Sequence, residues 1–521
     1  MNSETSRRSM FRAGFVSRLA SLLGLAAPAA VPIPVRGSGP SVYQRFGVEP
    51  FINCTSTYTI NGGSRQLPEV IAAVEQASHY HVNIDELMSK VGPRLAELLG
   101  AEAAIVSSGA AGAVTCGAAA CIAGGDPEKM QKLPDITGMK RECVVPKWSR
   151  SYYDHAVRAT GATMIEVETL AELDRALGPR TALAHGQANL LAEGNKFSLK
   201  QYVDACHKHG VPVLIDAAAD LPLKPSPYLA AGVDLVACSG GKIVRGPQTS
   251  GLLFGRKNLI QAAWQVSSPH ITFGRSIKVS KEEIIGLAVA IEALFSTRSR
   301  EAEDREWLGW FQYVKLRLDE VPGVTSRVVI PKEKSYYPTL QIDWDPEVIG
   351  LENWELGKRL LDGQPRIMTH AEGEGHGFVL RPAAMYPGEY KIVAERLQEE
   401  FRKAPRAKPK PARIPPTANL SGHWELDITF LASSTKWHLY IDNDGNELKG
   451  VYRSPVVPEG TLIGTISGDR VEIRSRGRHE GMDFNYVFSG KAQEGKMEGM
   501  VALGWEDGSV RWTGRRVGAT G

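Results

Sequence analysis

The hydrophobic pattern of this chain changes its period near residue 404, and this change most restricts the folds open to it. From about 42 to 404, apolar β-type runs such as "VPVLIDAAAD" alternate with helical patterns such as "LKQYVDACHKHG". Strands that alternate with helices indicate a mostly parallel central sheet covered on both faces. We therefore expect a large α/β part at 42–300 and a small α+β part at 301–403.

A second, all-β domain is predicted at 419–517. The stretch "APRAKPKPARIPPTA" at 404–418 is proline-rich and basic, as is typical of a semi-rigid linker. After it, about eight short period-two runs are separated by turn sequences such as "NDGN", "SGDR" and "QEGK". This pattern predicts an antiparallel barrel or sandwich. Its tryptophans either fill the core or line a ligand cavity: Trp424, Trp437, Trp505 and Trp512.

The first 40 residues read as an export signal. "SRRSMFRAGF" carries Arg7 and Arg8 together, and the apolar, acid-free "LASLLGLAAPAAVPIPV" follows. This order is typical of the twin-arginine route and predicts a periplasmic or secreted protein. A disordered tail with a chance Arg-Arg pair is the alternative. No apolar run is long enough to predict a helix that spans a membrane.

Charge and cysteine usage exclude two classes of function. The chain has 61 Lys+Arg and 58 Asp+Glu, a net charge of +3, which argues against a dedicated nucleic-acid-binding protein. None of its six cysteines forms a CxxC pair, so no metal site is predicted.

Three motifs that are separate in the sequence together predict a cofactor site. Lys242 lies in "CSGGKIVRGPQTSG", among small residues that are expected to let a ring and a phosphate approach the backbone. Asp216 ends the apolar run "VPVLID", and "SSGAAG" at 107–112 lies between a predicted strand and a predicted helix. A lysine amine, a carboxylate and the free N–H groups of a helix N-terminus are what pyridoxal phosphate requires.

These motifs resemble the selenocysteine-synthase-like group of fold-type-I pyridoxal-phosphate enzymes. The resemblance spans about 42–404 and includes "LIDAAADLP", "FINCTSTYTINGGS" and "SYYDHAVRATGA". The group includes L-seryl-tRNA(Sec) selenium transferase and D-glucosaminate-6-phosphate ammonia-lyase. It implies an aminotransferase-like fold, pyridoxal 5'-phosphate as cofactor and a homodimer or larger homo-oligomer.

The resemblance also implies roles for individual residues. Lys242 is expected to be the catalytic Schiff-base lysine, and Asp216 to pair with the pyridine nitrogen. Ser108, Gly109 and Ala110 are expected to bind the phosphate, helped by Ser239. Gln248 is expected to approach the phosphate or the neighbouring subunit's site. Tyr153 or His155 is expected to stack on the cofactor ring. For Tyr153 and His155, an ordinary strand–helix junction is the alternative.

Arginines are the candidates for binding the substrate, because a guanidinium fits a carboxylate with two hydrogen bonds. Arg381, Arg245 and Arg275 each lie near a predicted site element. Each could equally be a solvated or salt-bridged cation.

The predicted function is a lyase of the elimination type that acts at the α-carbon of a small amino acid or amino-sugar acid. A racemase and a selenium-transferase-type enzyme are alternatives, although the near-balanced charge argues against tRNA binding. A hypothesis of another class is an exported, non-catalytic protein that binds a ligand through its β domain.

Overall fold

The structure, a computed structural model, describes residues 41–331, 337–371, 375–406, 412–503 and 508–518. The predicted export signal and Trp505 lie outside these residues, as does part of the predicted linker.

A seven-stranded mixed sheet forms the centre of the large α/β part. The strands before residue 404 are β1 Ile52–Asn53, β2 Ala103–Ser108, β3 Glu142–Pro146, β4 Thr163–Val167, β5 Thr181–Gln187, β6 Val213–Asp216, β7 Leu235–Ser239, β8 Ser250–Gly255, β9 Val324–Val329, β10 Thr339–Trp344, β11 Ile367–Met368 and β12 Gly377–Leu380. The sheet order is β2-β8-β7-β6-β5-β3-β4. Only β8 runs antiparallel to its neighbours, so the carboxyl ends of the other six strands meet at one edge.

Helices cover the sheet. They are α1 Pro68–Ser78, α2 Ile84–Leu99, α3 Gly109–Ala123, α4 Pro127–Lys132, α5 His155–Arg158, α6 Leu170–Ala176, α7 Leu199–Lys208, α8 Pro227–Ala230, α9 Lys257–Val266, α10 Lys281–Ser296, α11 Arg300–Leu318, α12 Asn353–Asp362 and α13 Glu389–Arg402. Helix α10 begins at a capping box in which Ser280 and Glu283 satisfy each other's backbone N–H groups.

Small side chains let helix α3 lie directly against the sheet. A Cβ on Gly117 would already be in van der Waals contact, at 3.4 Å, with the methyl groups of Leu214 and Leu235, so the helix backbone lies close to the sheet. Twelve of the fifteen residues of α3 are buried. The alanine- and glycine-rich run after β2 therefore brings the helix N-terminus close to the strand ends.

The smaller α+β part contains the antiparallel sheet β12-β10-β9. Helices α11 and α13 pack against it, and Trp310 stacks on Tyr390 between them at 5.6 Å. Strand β1, from the start of the described chain, pairs with β11 and joins the N-terminal segment to this part.

The C-terminal strands form a closed, eight-stranded antiparallel barrel. They are β13 Gly422–Thr429, β14 Ser434–Asp444, β15 Glu447–Arg453, β16 Gly460–Ser467, β17 Arg470–His479, β18 Met482–Gln493, β19 Lys496–Ala502 and β20 Ser509–Arg516. Trp424, Trp437 and Trp512 are buried in its core, which favours the core interpretation of these three tryptophans.

The predicted fold class is confirmed: an aminotransferase-like α/β fold carries a smaller α+β part and a C-terminal barrel. The exact domain limits stay a prediction. Within the described residues, no helix is long and apolar enough to cross a membrane.

Candidate active site

The candidate site lies at the carboxyl edge of the sheet, where ligands commonly bind in open α/β sheets. Asp216 is the last residue of β6, and Ser239 is the last of β7. Lys242 follows Ser239 by three residues, and its Nζ lies 6.0 Å from the ring centroid of Tyr153. The topology therefore brings together residues that are separated by up to 89 positions in the chain.

The amine of Lys242 is half-buried and unpaired. Burial lowers its pKa, although Asp216 and Asp220 oppose that shift. Among the described residues, none lies close enough to form an ion pair or hydrogen bond with its Nζ. A lysine in such surroundings loses its proton more readily than a solvated lysine, which suits a nucleophile or a base.

Asp216 faces the same space from β6. Its Oδ1 accepts a hydrogen bond from the N–H of Ala218 at 3.0 Å. Burial raises the pKa of this carboxyl, while His185 and Lys242 act in the opposite direction. A carboxylate that is costly to bury alone gains most from a cationic partner such as a protonated ring nitrogen.

His185 is a further site residue that the sequence pattern did not single out. It lies on β5, beside the strand of Asp216, and its Nδ1 is 3.1 Å from the carbonyl oxygen of Leu214. Burial lowers the pKa of His185. The only signal in the sequence was a histidine within the apolar run "TALAHGQ", and the adjacency of β5 and β6 was needed to interpret it.

The start of helix α3 offers free donors. The N–H of Gly109 donates to the carbonyl of Thr249 at 2.6 Å. Ser108 precedes the helix without capping it, and no residue of the described ranges accepts from the N–H of Ala110 or Ala111. Two free N–H groups at a helix N-terminus form a site for an anion.

A cavity of about 430 Å³ opens beside these donors. Its lining includes Ser108, Gly112, Tyr153 and His155. Tyr153 therefore faces both this cavity and Lys242, whereas His155 lies at the exposed rim, 3.4 Å from a guanidinium nitrogen of Arg158. Burial raises the pKa of the Tyr153 phenol.

The two glycines before Lys242 make room for the chain that returns after the lysine loop. A Cβ on Gly241 would lie 2.4 Å from the carbonyl oxygen of Gln248, and one on Gly240 would lie 2.1 Å from Oγ of Ser250. The small neighbours therefore allow the returning chain to pack against the lysine loop. This packing differs from the expected close approach of a ring and phosphate.

The remaining predicted cofactor contacts lie on this loop. Ser239 is buried at the end of β7. The side chain of Gln248 fills the space above Gly63, and its Oε1 is buried with no hydrogen-bond partner in the described part of the chain. Their roles toward a cofactor stay predictions.

The three predicted arginines differ in their surroundings. Arg245 is buried, and it donates to the carbonyl of Arg65 at 2.9 Å and to Glu303 at 3.1 Å. Burial lowers the pKa of Arg245 to about 10. These contacts favour a salt-bridged structural role, and a substrate contact stays a prediction.

Arg381 and Arg275 have no ion pair with any residue that the structure describes. Arg381 is half-buried. Burial and the charge of Arg381 lower the pKa of His370, and the same charge opposes the rise that burial causes in the pKa of Tyr337. The ring centroids of His370 and Tyr58 lie 4.5 Å apart. Arg381 thus lies beside this ring pair, whereas Arg275 is exposed on the loop next to the cavity.

The arrangement fits pyridoxal phosphate. Lys242 supplies an unpaired amine, Asp216 a buried carboxylate with one oxygen uncommitted, and helix α3 two free N–H donors. Tyr153 supplies an aromatic face between the lysine and the cavity. The residues that would hold the cofactor thus lie together at the carboxyl edge of the sheet.

Comparisons with known proteins show which proteins this chain is similar to. The family model described as "Aminotransferase class-V" matches residues 63–337. A 5'-C-glycyluridine monooxygenase-decarboxylase from Streptomyces sp is 30% identical over 376 residues, covering 70% of this chain and 92% of the relative. D-glucosaminate-6-phosphate ammonia lyase from Salmonella typhimurium is 27% identical over 371 residues, covering 69% and 98%.

A solved structure is similar as well. The structure of a D-glucosaminate-6-phosphate ammonia-lyase matches with a TM-score of 0.62 and 26% identity, and it covers 70% of this chain and 99% of that protein. L-seryl-tRNA(Sec) selenium transferase from Aquifex aeolicus is 25% identical over 279 residues, covering 47% of this chain and 60% of that relative.

Proposed function

The chain belongs to the class-V aminotransferase family of pyridoxal-phosphate enzymes, and from this premise we propose that it is a lyase. The substrate class is a small amino acid or amino-sugar acid, from which the enzyme removes a proton at the α-carbon and expels a β-substituent. The observation that carries this proposal is the unpaired, half-buried amine of Lys242 between Asp216 and the ring of Tyr153.

Each site residue has its own role in the proposed reaction. When bound, pyridoxal phosphate supplies an aldehyde for the amino group and an electron-withdrawing ring. Lys242 would hold the cofactor, and once the substrate amine has replaced it there, its free Nζ would accept the α-proton, which its lowered pKa favours. Asp216 would stabilise positive charge on the ring nitrogen, and the N–H groups of Ala110 and Ala111 would bind the phosphate.

We assign the substrate carboxylate to Arg381. Its guanidinium has no carboxylate partner within the described ranges, and it lies near His370, whose ring contacts Tyr58. A bidentate pair with a substrate carboxylate would satisfy this charge. Arg275 is a weaker candidate for a second anionic group, because its side chain is exposed.

A second reaction has specific support. The relative at 30% identity is named a monooxygenase-decarboxylase, and the relative at 27% is named an ammonia lyase. These identities are too similar to separate the two. Decarboxylation with uptake of O2 is therefore the second candidate, while racemisation and a transferase reaction remain as further alternatives.

The cofactor test compares two lysine variants. Lys242→Ala is expected to abolish the visible absorbance of the lysine-bound cofactor. Lys208→Ala, at an exposed helix end, is the matched control and should retain it. A surviving absorbance band in Lys242→Ala would contradict the assignment, and a wild-type protein that cannot be loaded would favour the binding-protein hypothesis.

The reaction test uses the loaded wild-type enzyme with D- and L-amino acids and amino-sugar acids. Release of the β-substituent together with a keto acid supports the lyase. Stoichiometric CO2 release with O2 uptake supports the second candidate, and inversion of the substrate without either supports a racemase.

We also propose export and self-association. The arginine pair in "SRRSMFRAGF" supports twin-arginine export of the folded, loaded protein. Cell fractionation that finds the mature protein in the cytosol would contradict it. Members of this enzyme class are often oligomeric, and sedimentation of the loaded enzyme would measure the oligomer size.

A further inference from the structure

The turn between β17 and β18 of the barrel carries an unusual residue. It consists of Glu480 and Gly481, whose φ angles are +48° and +77°. Two-residue hairpins favour positive φ at both central residues, but the first of them is usually asparagine, aspartate or glycine, and glutamate is uncommon there. In the similar Glu494–Gly495 turn between β18 and β19, only the glycine has positive φ, +76°. The shape of the Glu480 turn is therefore that of an ordinary hairpin, and what sets it apart is the glutamate at its first position.

This turn is packed against the α/β part. A Cβ on Gly481 would lie 2.5 Å from the carbonyl oxygen of Ser151 and 2.7 Å from its nitrogen. Because both contacts are with backbone, no side-chain rotation could make room. In contrast, nothing lies within 4 Å of the corresponding position on Gly495.

Charged groups hold the same contact. Arg150 has a side chain only 3% exposed, and it donates to Glu480 at 2.5 Å and to the fully buried Asp154, also at 2.5 Å. Arg158 lies 3.6 Å from the same Glu480 carboxylate. In return, Arg478 of the barrel donates to the carbonyl of Arg150 at 3.3 Å.

Ser151, the residue packed beneath the turn, is hydrogen-bonded to the backbone of Tyr153. Oγ of Ser151 accepts the backbone N–H of Tyr153 at 3.1 Å. It also accepts from Nε2 of Gln187, at the end of β5, at 2.5 Å. A displacement of Ser151 would therefore move the ring that lies 6.0 Å from the amine of Lys242.

We propose that the barrel positions the active-site ring of Tyr153 through its Glu480–Gly481 turn. Glu480 and Gly481 are positioning residues, because they contact Arg150 and Ser151 and not the reacting atoms. The barrel is thus a structural component of the catalytic site, and it lies beyond the family match, which ends at residue 337. The proposal rests on the proposed function, since it assumes that Tyr153 lines the cofactor site.

The first test measures the docking without any cofactor. Hydrogen–deuterium exchange of the full-length, cofactor-free protein reports local opening of residues 150–158. We expect faster exchange in this segment for Gly481→Ala. The matched control, Gly495→Ala, introduces the same side chain at a similar φ in open space and should leave it unchanged.

The second test asks whether the effect passes through Tyr153. Loss of a well-placed aromatic contact predicts that Gly481→Ala weakens binding of pyridoxal phosphate about 2- to 10-fold. In a Tyr153→Leu background, the same substitution should cause no further loss, because the ring that it displaces is already absent. The absorbance of the bound cofactor should shift in Gly481→Ala but not in Gly495→Ala.

The outcomes separate this inference from the proposed function. Unchanged exchange of 150–158 in Gly481→Ala, or additive losses of affinity in the double variant, would overturn the positioning role. Failure of the wild-type protein to bind pyridoxal phosphate would instead contradict the proposed function. Glu480→Gln should reproduce the faster exchange in part, with Glu494→Gln as its control.

Discussion

The substitution Gly241→Ala tests whether packing within the lysine loop sets the position of Lys242. The new Cβ would lie 2.4 Å from the carbonyl oxygen, 2.7 Å from Cα and 2.9 Å from the carbonyl carbon of Gln248. These are backbone atoms, so the loop itself must move. Such overpacking costs about 1–3 kcal/mol, and the amine of the next residue moves with it.

Two quantities follow from this displacement. The free energy of unfolding of the cofactor-free protein in urea should fall by about 1–3 kcal/mol. Pyridoxal phosphate at 100 times its wild-type Kd should stabilise the wild type by about 2.7 kcal/mol. If the variant binds tenfold more weakly, the same concentration adds only about 1.4 kcal/mol.

Gly178→Ala is the control, because it has ordinary φ and nothing within 4 Å of the new Cβ. Its free energy of unfolding should stay within about 0.5 kcal/mol of the wild type. If Gly241→Ala behaves like this control in both measurements, the loop tolerates the side chain. In that case, the glycines before Lys242 would not set the position of its amine.

Three further predictions concern charge. Asp216→Asn should weaken binding of pyridoxal phosphate about 10- to 100-fold in a spectroscopic titration, because a charged hydrogen bond to the ring nitrogen is lost; unchanged affinity would place Asp216 outside the site. Arg245→Met should lower the free energy of unfolding in urea by about 1–2 kcal/mol, since it removes the hydrogen bonds to Glu303 and to the carbonyl of Arg65 while Arg298 still pairs with Glu303; unchanged stability with a raised KM would instead indicate a substrate contact. Despite partial burial, the hydrogen bond from Arg150 lowers the pKa of Glu480 below its ordinary 4.5. The ionised form of Glu480 therefore stabilises docking of the barrel on the α/β part above about pH 4.5. This stabilisation disappears as the pH falls through the lowered pKa. Hydrogen–deuterium exchange of residues 150–158 should therefore accelerate, relative to the rest of the chain, only in acid. Glu480→Gln has no carboxylate to protonate at this position, so an equal acceleration in acid in that variant would contradict the prediction.

The candidate site was largely predictable because its residues carry local signals. Lys242 is surrounded by small residues, Asp216 ends an apolar strand, and Ser108 lies between a strand and a helix. Strand ends on a parallel sheet meet at one edge, so residues with these signals were expected to converge. His185 carried no such signal, because a histidine inside an apolar strand is informative only when its neighbouring strand is known.

The arginines show the limit of sequence reasoning. Arg245 and Arg381 look alike in the sequence, since both lie close to predicted site elements. In the structure, Arg245 is paired with Glu303, whereas Arg381 has no ion pair among the described residues. Pairing depends on which carboxylates the fold brings near, and Glu303 is 58 positions from Arg245.

The sequence by itself determined the order of strands and helices, the change to an all-β domain and the cofactor class. These properties depend on hydrophobic period, turn residues and short motifs, all of which are local along the chain. Only the tertiary structure decided which glycines make room for neighbouring backbone, which arginine is already paired and how the barrel meets Ser151. Those features are contacts between residues as far apart as Arg150 and Glu480, 330 positions from each other, and no local pattern specifies them.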